Sequence, residues 1–427
     1  MRKPANEGVV PLSGGERGSL ATFRALEHRD FRIIWTGLAV SSVGTWMQIV
    51  ALSLLVLDLT HGSPVALGAV SLVQALSFLL FALIGGGVAD RFDRRRLLLL
   101  TQSLLMGLAV LLGTLTAAGV IRFWMIPLAA FTSSAILSFD QPARNALVTS
   151  LVPKEDLMNA VSLQSATFNG ASILGPALAG LALGRIGYAG NFFLNAASYS
   201  AMLAALMLLD SRPAEAVPRS RGRLLDSVRE ALQFVRRDAV LPSVVSAYGA
   251  LLFFGPSAAV VLPLFARQVA HIGSTQLGIL FSAVGAGTVL GALIVASMGD
   301  FPQKKRLEFG AILAWILALV VFGSSSGMAV AVPALVVLGA GQNTAGAVAI
   351  TLLQSRVPAE MRGRVMSLNT LLIMCARPLG DFPIAAVIGS LGFRPTILLC
   401  AMIVGLVLLA LVSWGADRPG GVPESGG

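Results

Sequence analysis

Charged residues are scarce in this chain of 427 residues: Asp, Glu, Lys and Arg make up 12% of it, whereas 56% of the residues are hydrophobic. An average soluble domain carries about 25% charged residues. The mean hydropathy is +0.81, and a water-soluble protein this apolar would lack the polar groups to cover its core. The scarcity of charge therefore excludes a soluble globular protein and predicts an integral membrane protein.

Cysteine and histidine are also rare. The two cysteines, Cys375 and Cys400, lie inside apolar runs, which favours packing roles over a disulfide or metal site. His28, His61 and His271 fall in predicted loops or at the ends of spans, which argues against a proton-carrying histidine in the membrane. The chain lacks the Gly-x-x-x-x-Gly-Lys-Ser/Thr loop that binds nucleotide phosphates, so direct ATP drive is not expected. We predict that the protein is not an enzyme and holds no cofactor or metal.

Long apolar stretches recur along the whole chain, and each can cross a hydrocarbon layer of about 30 Å as a helix. The polar segment before the first stretch lacks the short apolar core of a cleaved signal peptide, so the first stretch is expected to act as its own insertion signal. The predicted fold class is an all-α membrane protein with twelve transmembrane helices. The predicted spans are residues 33–57, 65–89, 97–119, 123–149, 157–183, 190–209, 241–266, 275–298, 307–325, 328–353, 365–390 and 394–415.

Positive charge is distributed unevenly between the predicted loops. Most of the 31 Lys and Arg residues fall on one side, in the N-terminal tail, the segments 90–96 and 210–240 and the neighbouring loops. Loops rich in Lys and Arg stay in the cytoplasm. We therefore predict a multi-pass protein of the inner (plasma) membrane with both termini cytoplasmic. Topology accounts for the net charge of +10, so the predicted partner is the lipid bilayer and not nucleic acid.

The two halves of the sequence resemble each other. "LVPKEDLMNAVSLQ" (151–164) aligns with "RVPAEMRGRVMSLN" (356–369), and "DRFDRRRL" (90–97) aligns with "DFPQKKRL" (300–307). This repetition predicts two pseudo-symmetric six-helix bundles related by an axis along the membrane normal. The predicted units are a cytoplasmic tail at 1–30, a bundle at 31–210, a cytoplasmic linker at 211–240, a bundle at 241–415 and a tail at 416–427.

The linker segment "RSRGRLLDSVREALQFVRR" (219–237) places apolar residues at helical spacing, with Arg and Glu opposite. The pattern predicts an amphipathic helix at the cytoplasmic interface. A lipid-facing tether is the simpler interpretation, and a regulatory domain is the alternative. The apolar positions are Leu224, Leu225, Val228, Leu232 and Val235.

The island "GGGVADRFDRRRLLLL" between the second and third spans contains Gly86, Asp90, Arg91 and Arg94. These residues resemble the signature of the major facilitator superfamily between its helices 2 and 3, with Asp93 in place of the second glycine. The resemblance covers essentially the whole chain. The phrases "FDQPARNALVTSLVP", "LTHGSP" and "FVRRDAVL" are similar to the branch that contains the enterobactin exporter and related bacterial efflux permeases.

The resemblance implies a transporter that works by alternating access, in which two bundles rock about a central site. It also implies that the signature residues around Asp90 and Arg94 form a cytoplasmic gate with Asp140 and Arg144 of helix 4. Asp140 and Arg144 are four residues apart and so share a helix face. The alternative is that these arginines only anchor the topology.

Helix 5 contains Gly175, Pro176 and Gly180 in "GASILGPALAG". This segment resembles, in part, the Gly-Pro motif of antiporters in the superfamily. Small residues let helices approach closely, and a proline bends its helix. We expect these three residues to form a helix-packing motif.

Arg377 and Asp381 lie inside the predicted eleventh span, where a bare charge costs several kcal/mol. Their spacing of four lets them neutralise each other. One interpretation is that Asp381 takes up and releases the driving proton while Arg377 tunes it. The alternative is a static internal pair, and the sequence leaves both open.

Helices 1, 4, 7 and 10 line the central cavity in the superfamily that this chain resembles. The corresponding helices carry amides, hydroxyls and a few aromatic rings but little fixed charge, which suits an amphipathic or mostly apolar solute. The alternative for any one of these residues is a hydrogen bond between helices. The candidates are Ser41, Thr45, Gln48, Ser134, Ser138, Gln141, Tyr248, Phe253, Gln342 and Asn343.

Together these observations predict a secondary active transporter, a proton-coupled exporter of small lipophilic or siderophore-like molecules. Its expected partners are a small-molecule substrate, protons or another coupling ion, and the bilayer, and it is expected to function as a monomer. An importer or facilitator of metabolites with the same fold is one alternative. A transport-inactive sensor or assembly partner is another, and it would tolerate neutral residues at Asp90 and Asp381.

Overall fold

Helices joined by short turns make up the described structure. The computed structural model describes residues 21–89, 92–209, 224–299 and 303–416. Short 3-10 helices occupy Ala21–Glu27 and Lys154–Asp156. The α-helices are α1 (Arg29–Leu59), α2 (Pro64–Ala89), α3 (Arg94–Ala117), α4 (Met125–Ser150), α5 (Leu157–Met207), α6 (Leu224–Arg237), α7 (Leu241–Phe254), α8 (Ala258–Gln268), α9 (Ser274–Met298), α10 (Lys304–Ser324), α11 (Met328–Arg356), α12 (Ala359–Leu391) and α13 (Phe393–Ala416).

These helices form twelve membrane crossings. Within the described residues, ten helical stretches are long and apolar enough to span a bilayer. One of them, Lys154–Met207, holds two crossings because α5 turns back at Gly187. The twelfth crossing is α4, whose serines and charged residues make it less apolar, although it packs against both α2 and α3. The prediction of an all-α protein with twelve transmembrane helices is confirmed.

Two breaks in the helices follow from local sequence. Gly187 has a φ of +64°, a left-handed conformation that residues with a Cβ rarely adopt. α7 and α8 are separated by Gly255, Pro256 and Ser257, and a proline lacks the N–H that would continue a helix. The backbone N–H of Ser257, freed by this break, donates to Asp381 Oδ1 at 2.9 Å. The Asp381 side chain thus supplies the hydrogen-bond acceptor for the Ser257 N–H that the lipid chains of a bilayer could not supply.

The helices fall into two groups. In the first, α1 packs along both arms of α5, and α4 packs against α2 and α3. In the second, α11 packs against α9 and α10, and α13 packs against α7 and α10. The first group spans Arg29–Met207 and the second spans Leu241–Ala416.

The linker contains the predicted helix, observed as α6. Ala231 and Val235 are buried in a cluster with Leu241, Leu353 and Val357 of the second group. Glu230 of α6 forms an ion pair with Arg364 of α12. The helix therefore docks on protein through Ala231 and Val235, and the choice between a lipid-facing tether and a regulatory domain stays a prediction. The side chains of Leu224, Leu225 and Val228 lie outside the described residues, and Leu232 is exposed.

We call the end of the bundle where α6 and the Lys154–Asp156 turn lie the linker face, and the other end the far face. The two groups meet in the half of the molecule next to the far face. There α5 contacts α9: a Cβ on Gly180 would lie 2.6 Å from the Ser274 carbonyl oxygen. One turn deeper, a Cβ on Gly278 would lie 2.5 Å from the Pro176 carbonyl oxygen. We call this α5–α9 contact the glycine seam.

A second contact joins the groups in the same half of the molecule. α2 packs on α12 so closely that a Cβ on Gly68 would lie 2.7 Å from Ala385 Cβ. The helices can approach this far because Gly68 has no side chain. The two contacts together close the far face.

Candidate functional site

A cleft opens between the two groups toward the linker face. The face of α5 that meets α9 through Ser172 and Pro176 continues, at helical spacing, to Val161 and Ser165, and both are exposed. On α9 the corresponding face continues to Leu293, which is 60% exposed. The facing surfaces of these helices are in contact near the far face and exposed toward the linker face, which indicates that the two groups separate there.

The small residues of helix 5 lie at the closed end of this cleft. Gly175 packs against α1, where its Cβ would lie 2.5 Å from Trp46 Cβ, whereas Pro176 and Gly180 contact α9. The expected close packing is present. The sequence did not indicate that two of the three residues would face the opposite half.

Polar residues near the linker face join α3 to α4. Asp140 is fully buried and its Oδ1 accepts hydrogen bonds from Thr101 and Gln102, each at 2.8 Å. Its Oδ2 lies 3.1 Å from Arg144 Nη2, so the spacing of four does produce an ion pair. Arg94 Nη1 donates to the Ala146 carbonyl at 3.3 Å. These contacts all lie within the first half.

Of the other three residues of the predicted gate, only Gly86 lies among the described residues. Gly86 lies in α2, whereas Asp90 and Arg91 lie outside the described residues. The described contacts of Arg94, Asp140 and Arg144 therefore show how the gate cluster is held together in one half. The role of these residues as a cytoplasmic gate stays a prediction.

Arg377 and Asp381 do not form the neutralising pair that their spacing allows. Among the described residues no ion pair within 4.0 Å joins them, and the Asp381 carboxylate accepts from the Ser257 N–H at the α7–α8 break. The hydroxyl of Ser71, on α2 of the other half, faces the same carboxylate. Asp381, 2% exposed, therefore links three helices and lies where the two halves meet.

The Arg377 side chain lies in a cavity inside the second half. Trp315 and Phe322 of α10 and Gln342 of α11 line this cavity, together with apolar residues of α8, α9 and α11. Arg377 Nε and Nη2 are buried and have no hydrogen-bond partner among the described residues. The predicted cavity residue Gln342 thus lines the same cavity as this cation.

Glu308 of α10 is a buried acid that sequence reasoning missed. It is fully buried, and neither carboxylate oxygen has a hydrogen-bond partner in the described part of the chain. Lys305, on the same helix, and Tyr248 of α7 lie within electrostatic range. The sequence feature that could have indicated this buried acid is its position inside the apolar run "LEFGAILAW", directly after a group of basic residues.

The predicted cavity residues of α1 form a polar stripe that faces the part of α5 after the Gly187 turn, which we call the return arm. Ser41 is buried, the Thr45 hydroxyl lies 3.5 Å from the Tyr199 hydroxyl, and Gln48 Oε1 accepts from Asn195. These contacts are hydrogen bonds within the first half, the alternative that the sequence left open.

The other predicted cavity residues are divided between packing and partial exposure. In α4 the Ser138 hydroxyl donates to the Ser134 carbonyl, and Gln141 is half-buried. Tyr248 is buried beside Gly346 of α11, whereas Phe253 is 36% exposed and contacts Phe254 edge to face. Asn343 of α11 is half-buried, like Gln342.

An ion pair lies at the far face. Arg267 at the end of α8 donates to Asp58 Oδ1 of α1 at 2.8 Å, and the Tyr188 hydroxyl donates to the other oxygen of Asp58. The pair joins the two halves, but both side chains are about half exposed, 43% and 50%. Exposed pairs of this kind contribute about 0–1 kcal/mol, so the close helix packing dominates the closure.

Comparison with known proteins gives one family and one fold. The family described as transmembrane secretion effector, of the major facilitator type, matches residues 20–417. The enterobactin exporter EntS of Citrobacter koseri is 26% identical across 90% of this chain and 92% of its own length. The uncharacterised transporter YfiS of Bacillus subtilis, of the major facilitator type, is 27% identical across 76% of this chain and 79% of its own length.

Solved structures share the fold at low sequence identity. A bacterial homologue of the human lysosomal transporter Spinster, in an inward-facing and unoccupied conformation, superposes with a TM-score of 0.72. It is 14% identical, and the alignment covers 92% of this chain and 99% of that one. A bacterial homologue of the iron transporter ferroportin, in an inward-facing state, gives a TM-score of 0.70 at 15% identity, covering 91% and 99%.

Proposed function

Because this chain belongs to the transmembrane secretion effector family of major facilitator transporters, we propose that it exports small lipophilic or siderophore-like molecules, driven by protons. It is a multi-pass membrane transporter and not an enzyme. Export is supported by the family description and by the similarity to enterobactin exporters. The substrate class is supported by the apolar and aromatic lining around Trp315 and Phe322.

The observation that carries the proposal is the asymmetric contact between the halves. The glycine seam and the α2–α12 contact close one end, and the α5–α9 faces separate toward the other. If the linker face is cytoplasmic, as the distribution of positive charge indicates, this conformation is open to the cytoplasm. Rocking of the halves would open the far face and release substrate outside the cell.

Asp381 is the coupling carboxylate in this proposal. It accepts from the α7–α8 break and faces Ser71 across the interface, so its charge contributes to closing the far face. Protonation would weaken these contacts, because hydrogen bonds to an ionised acceptor are roughly twice as strong as those to a neutral one. A proton entering from outside would thus bind while the far face is open and leave when it closes.

The cytoplasmic gate would close the linker face in the other conformation. We assign it Gly86, Asp90, Arg91 and Arg94, with Asp140 and Arg144 as its partners in α4. The buried network around Asp140 supports this role because it fixes α4 relative to α3. Asp90→Asn is expected to slow turnover and leave membrane insertion intact; unchanged transport kinetics would remove Asp90 from the gate.

The function is tested in proteoliposomes with an imposed pH gradient, using a lipophilic fluorescent dye and a catecholate siderophore as candidate substrates. The wild type is expected to move at least one of these substrates against the substrate's own concentration gradient. The expected direction is from the linker face to the far face. Asp381→Asn is expected to retain downhill movement and lose dependence on the pH gradient. Glu308→Gln is the parallel variant, since this buried acid is the second candidate. Glu155→Gln, at an exposed turn, is the matched control.

The outcomes separate the possibilities. If the pH dependence survives in Asp381→Asn but not in Glu308→Gln, the coupling site is Glu308. If it survives in both, neither acid carries the proton. Movement in the opposite direction would identify an importer, and the absence of movement for every substrate would favour a sensor or assembly partner.

A further inference from the structure

We propose that Arg377 and the surrounding cavity of the second half bind an anionic oxygen group, such as a carboxylate or phenolate, on an aromatic or lipophilic substrate. This inference rests on the proposed function, since it names the chemistry that the transported molecule presents. It assigns Arg377 to the substrate, apart from the proton site.

The first support is the unsatisfied charge of Arg377. A guanidinium group carries five N–H donors and stays protonated in proteins. Two of its nitrogens, Nε and Nη2, are buried without an acceptor among the described residues. Burying an uncompensated charge costs several kcal/mol, and charged residues inside membrane spans mark substrate or ion pathways. The missing acceptor is therefore expected to come from the ligand.

The second support is that the nearest carboxylate is engaged elsewhere. Asp381, one helical turn from Arg377, accepts from the Ser257 N–H and faces Ser71 of the other half. Asp381 attracts Arg377 from a distance, but the two do not form an ion pair among the described residues. The guanidinium donors thus remain available to a bidentate oxyanion, the geometry for which arginine is suited.

The third support is the composition of the cavity. Trp315 and Phe322 form aromatic walls, Leu319 and Leu335 add apolar surface, and Gln342 offers an amide beside Arg377. The lining residues are mostly apolar, with a few polar groups at one point, and this composition of the lining is shared by small-molecule sites. Here the polar groups are the Arg377 guanidinium and the Gln342 amide. Both can donate hydrogen bonds, so they favour a ligand that has an anionic oxygen group at one end and is otherwise apolar.

The site can be tested by direct binding to the purified full-length protein in detergent, with para-iodobenzoate and para-iodobenzamide as probes. The two differ in charge, and the iodine quenches tryptophan fluorescence on contact. Trp315 lines the cavity and reports occupancy, and Trp315→Phe establishes which part of the quenching comes from this site. The carboxylate is expected to bind more tightly than the amide.

Arg377→Gln is expected to weaken carboxylate binding roughly 10- to 100-fold, the effect of losing hydrogen bonds to a charged group. Amide binding should be unchanged. Arg377→Lys keeps the charge but loses the planar fork, so it should bind the carboxylate less tightly than the wild type and more tightly than Arg377→Gln. This variant also serves if Arg377→Gln does not fold. Arg306→Gln, which removes one exposed cation from the start of α10, is the matched control and should match the wild type.

The proposal is overturned if the wild type binds both probes equally, binds neither, or keeps its preference for the carboxylate in Arg377→Gln. Its failure is distinguishable from failure of the proposed function. Charge-selective binding without any export would refute the function and leave the site, whereas pH-driven export with no Arg377-dependent preference would do the reverse.

Discussion

Gly180→Ala is expected to destabilise the closed far face. Gly180 lies in the glycine seam, and the Cβ of an alanine there would lie 2.6 Å from the Ser274 carbonyl oxygen and 3.0 Å from Thr275 Cα. Ordinary van der Waals contacts of a Cβ begin at 3.4 Å. The nearest atoms belong to the backbone of α9 and cannot rotate away, so α5 and α9 must separate by roughly 0.8 Å.

The expected magnitude follows from the cost of overpacking a well-packed contact, about 1–3 kcal/mol. This penalty applies only where α5 and α9 touch, which is the conformation open at the linker face. The alternative conformation, in which the far face opens, does not pay it. A difference of about 1–3 kcal/mol shifts the ratio of the two conformations roughly 5- to 150-fold toward opening of the far face.

The assay measures thiol labelling in the cleft near the linker face. A cysteine at Ser165 lies on the α5 face that is exposed only where the halves separate. The native thiols, Cys375 and Cys400, are both buried, so background labelling is low. The labelling rate follows the fraction of molecules that are open at the linker face, so Gly180→Ala should slow labelling at this position relative to Gly180, by at most the factor of the population shift.

The matched control is Gly184→Ala, one turn along the same helix, where an added Cβ meets nothing within 4 Å. It changes helix propensity in the same way as Gly180→Ala, so any shared effect is not due to the seam. Equal labelling rates in both variants would refute the view that close backbone packing holds the far face closed.

Two smaller predictions concern the charged contacts. Arg267→Gln removes the half-exposed ion pair with Asp58. It should change the labelling rate at Ser165→Cys less than about fivefold, because such pairs contribute at most about 1 kcal/mol. A change as large as that of Gly180→Ala would contradict the view that helix packing contributes more to closure than this ion pair. Asp140→Asn should lower thermal stability in detergent by about 1–3 kcal/mol, since it leaves the half-buried Arg144 unpaired and disturbs the bond from Gln102. Thr101→Val, which removes one neutral donor, should cost about 1 kcal/mol, and equal losses would refute a role for the charge.

Part of the candidate site follows from local spacing. The Asp140–Arg144 ion pair was predictable because residues four apart on a helix are neighbours whatever the tertiary structure. The same spacing gives no ion pair between Arg377 and Asp381 among the described residues, and Asp381 Oδ1 instead accepts from the backbone N–H freed by the α7–α8 break. That break is 124 residues away in sequence, so no local pattern indicates it.

Other features needed the packed helices to become visible. Glu308 belongs to a short basic and acidic run at a helix end, a pattern typical of a solvated terminus, and only packing buries both of its oxygens. The polar stripe of α1 has the spacing of a cavity lining, yet Asn195 and Tyr199 of the return arm meet it inside one half. Hydrogen bonding between helices and cavity lining leave the same periodicity in the sequence.

The sequence by itself determined that this protein crosses a membrane twelve times, with its basic loops on one side. The bilayer acts on each segment through that segment's own length, polarity and flanking charge, so those properties are sufficient. Tertiary structure alone decided which end is closed, which acid joins the halves and which cation has buried donors without an acceptor among the described residues. These outcomes depend on side chains that meet from distant helices, where the energy of a charge is set by its neighbours in space.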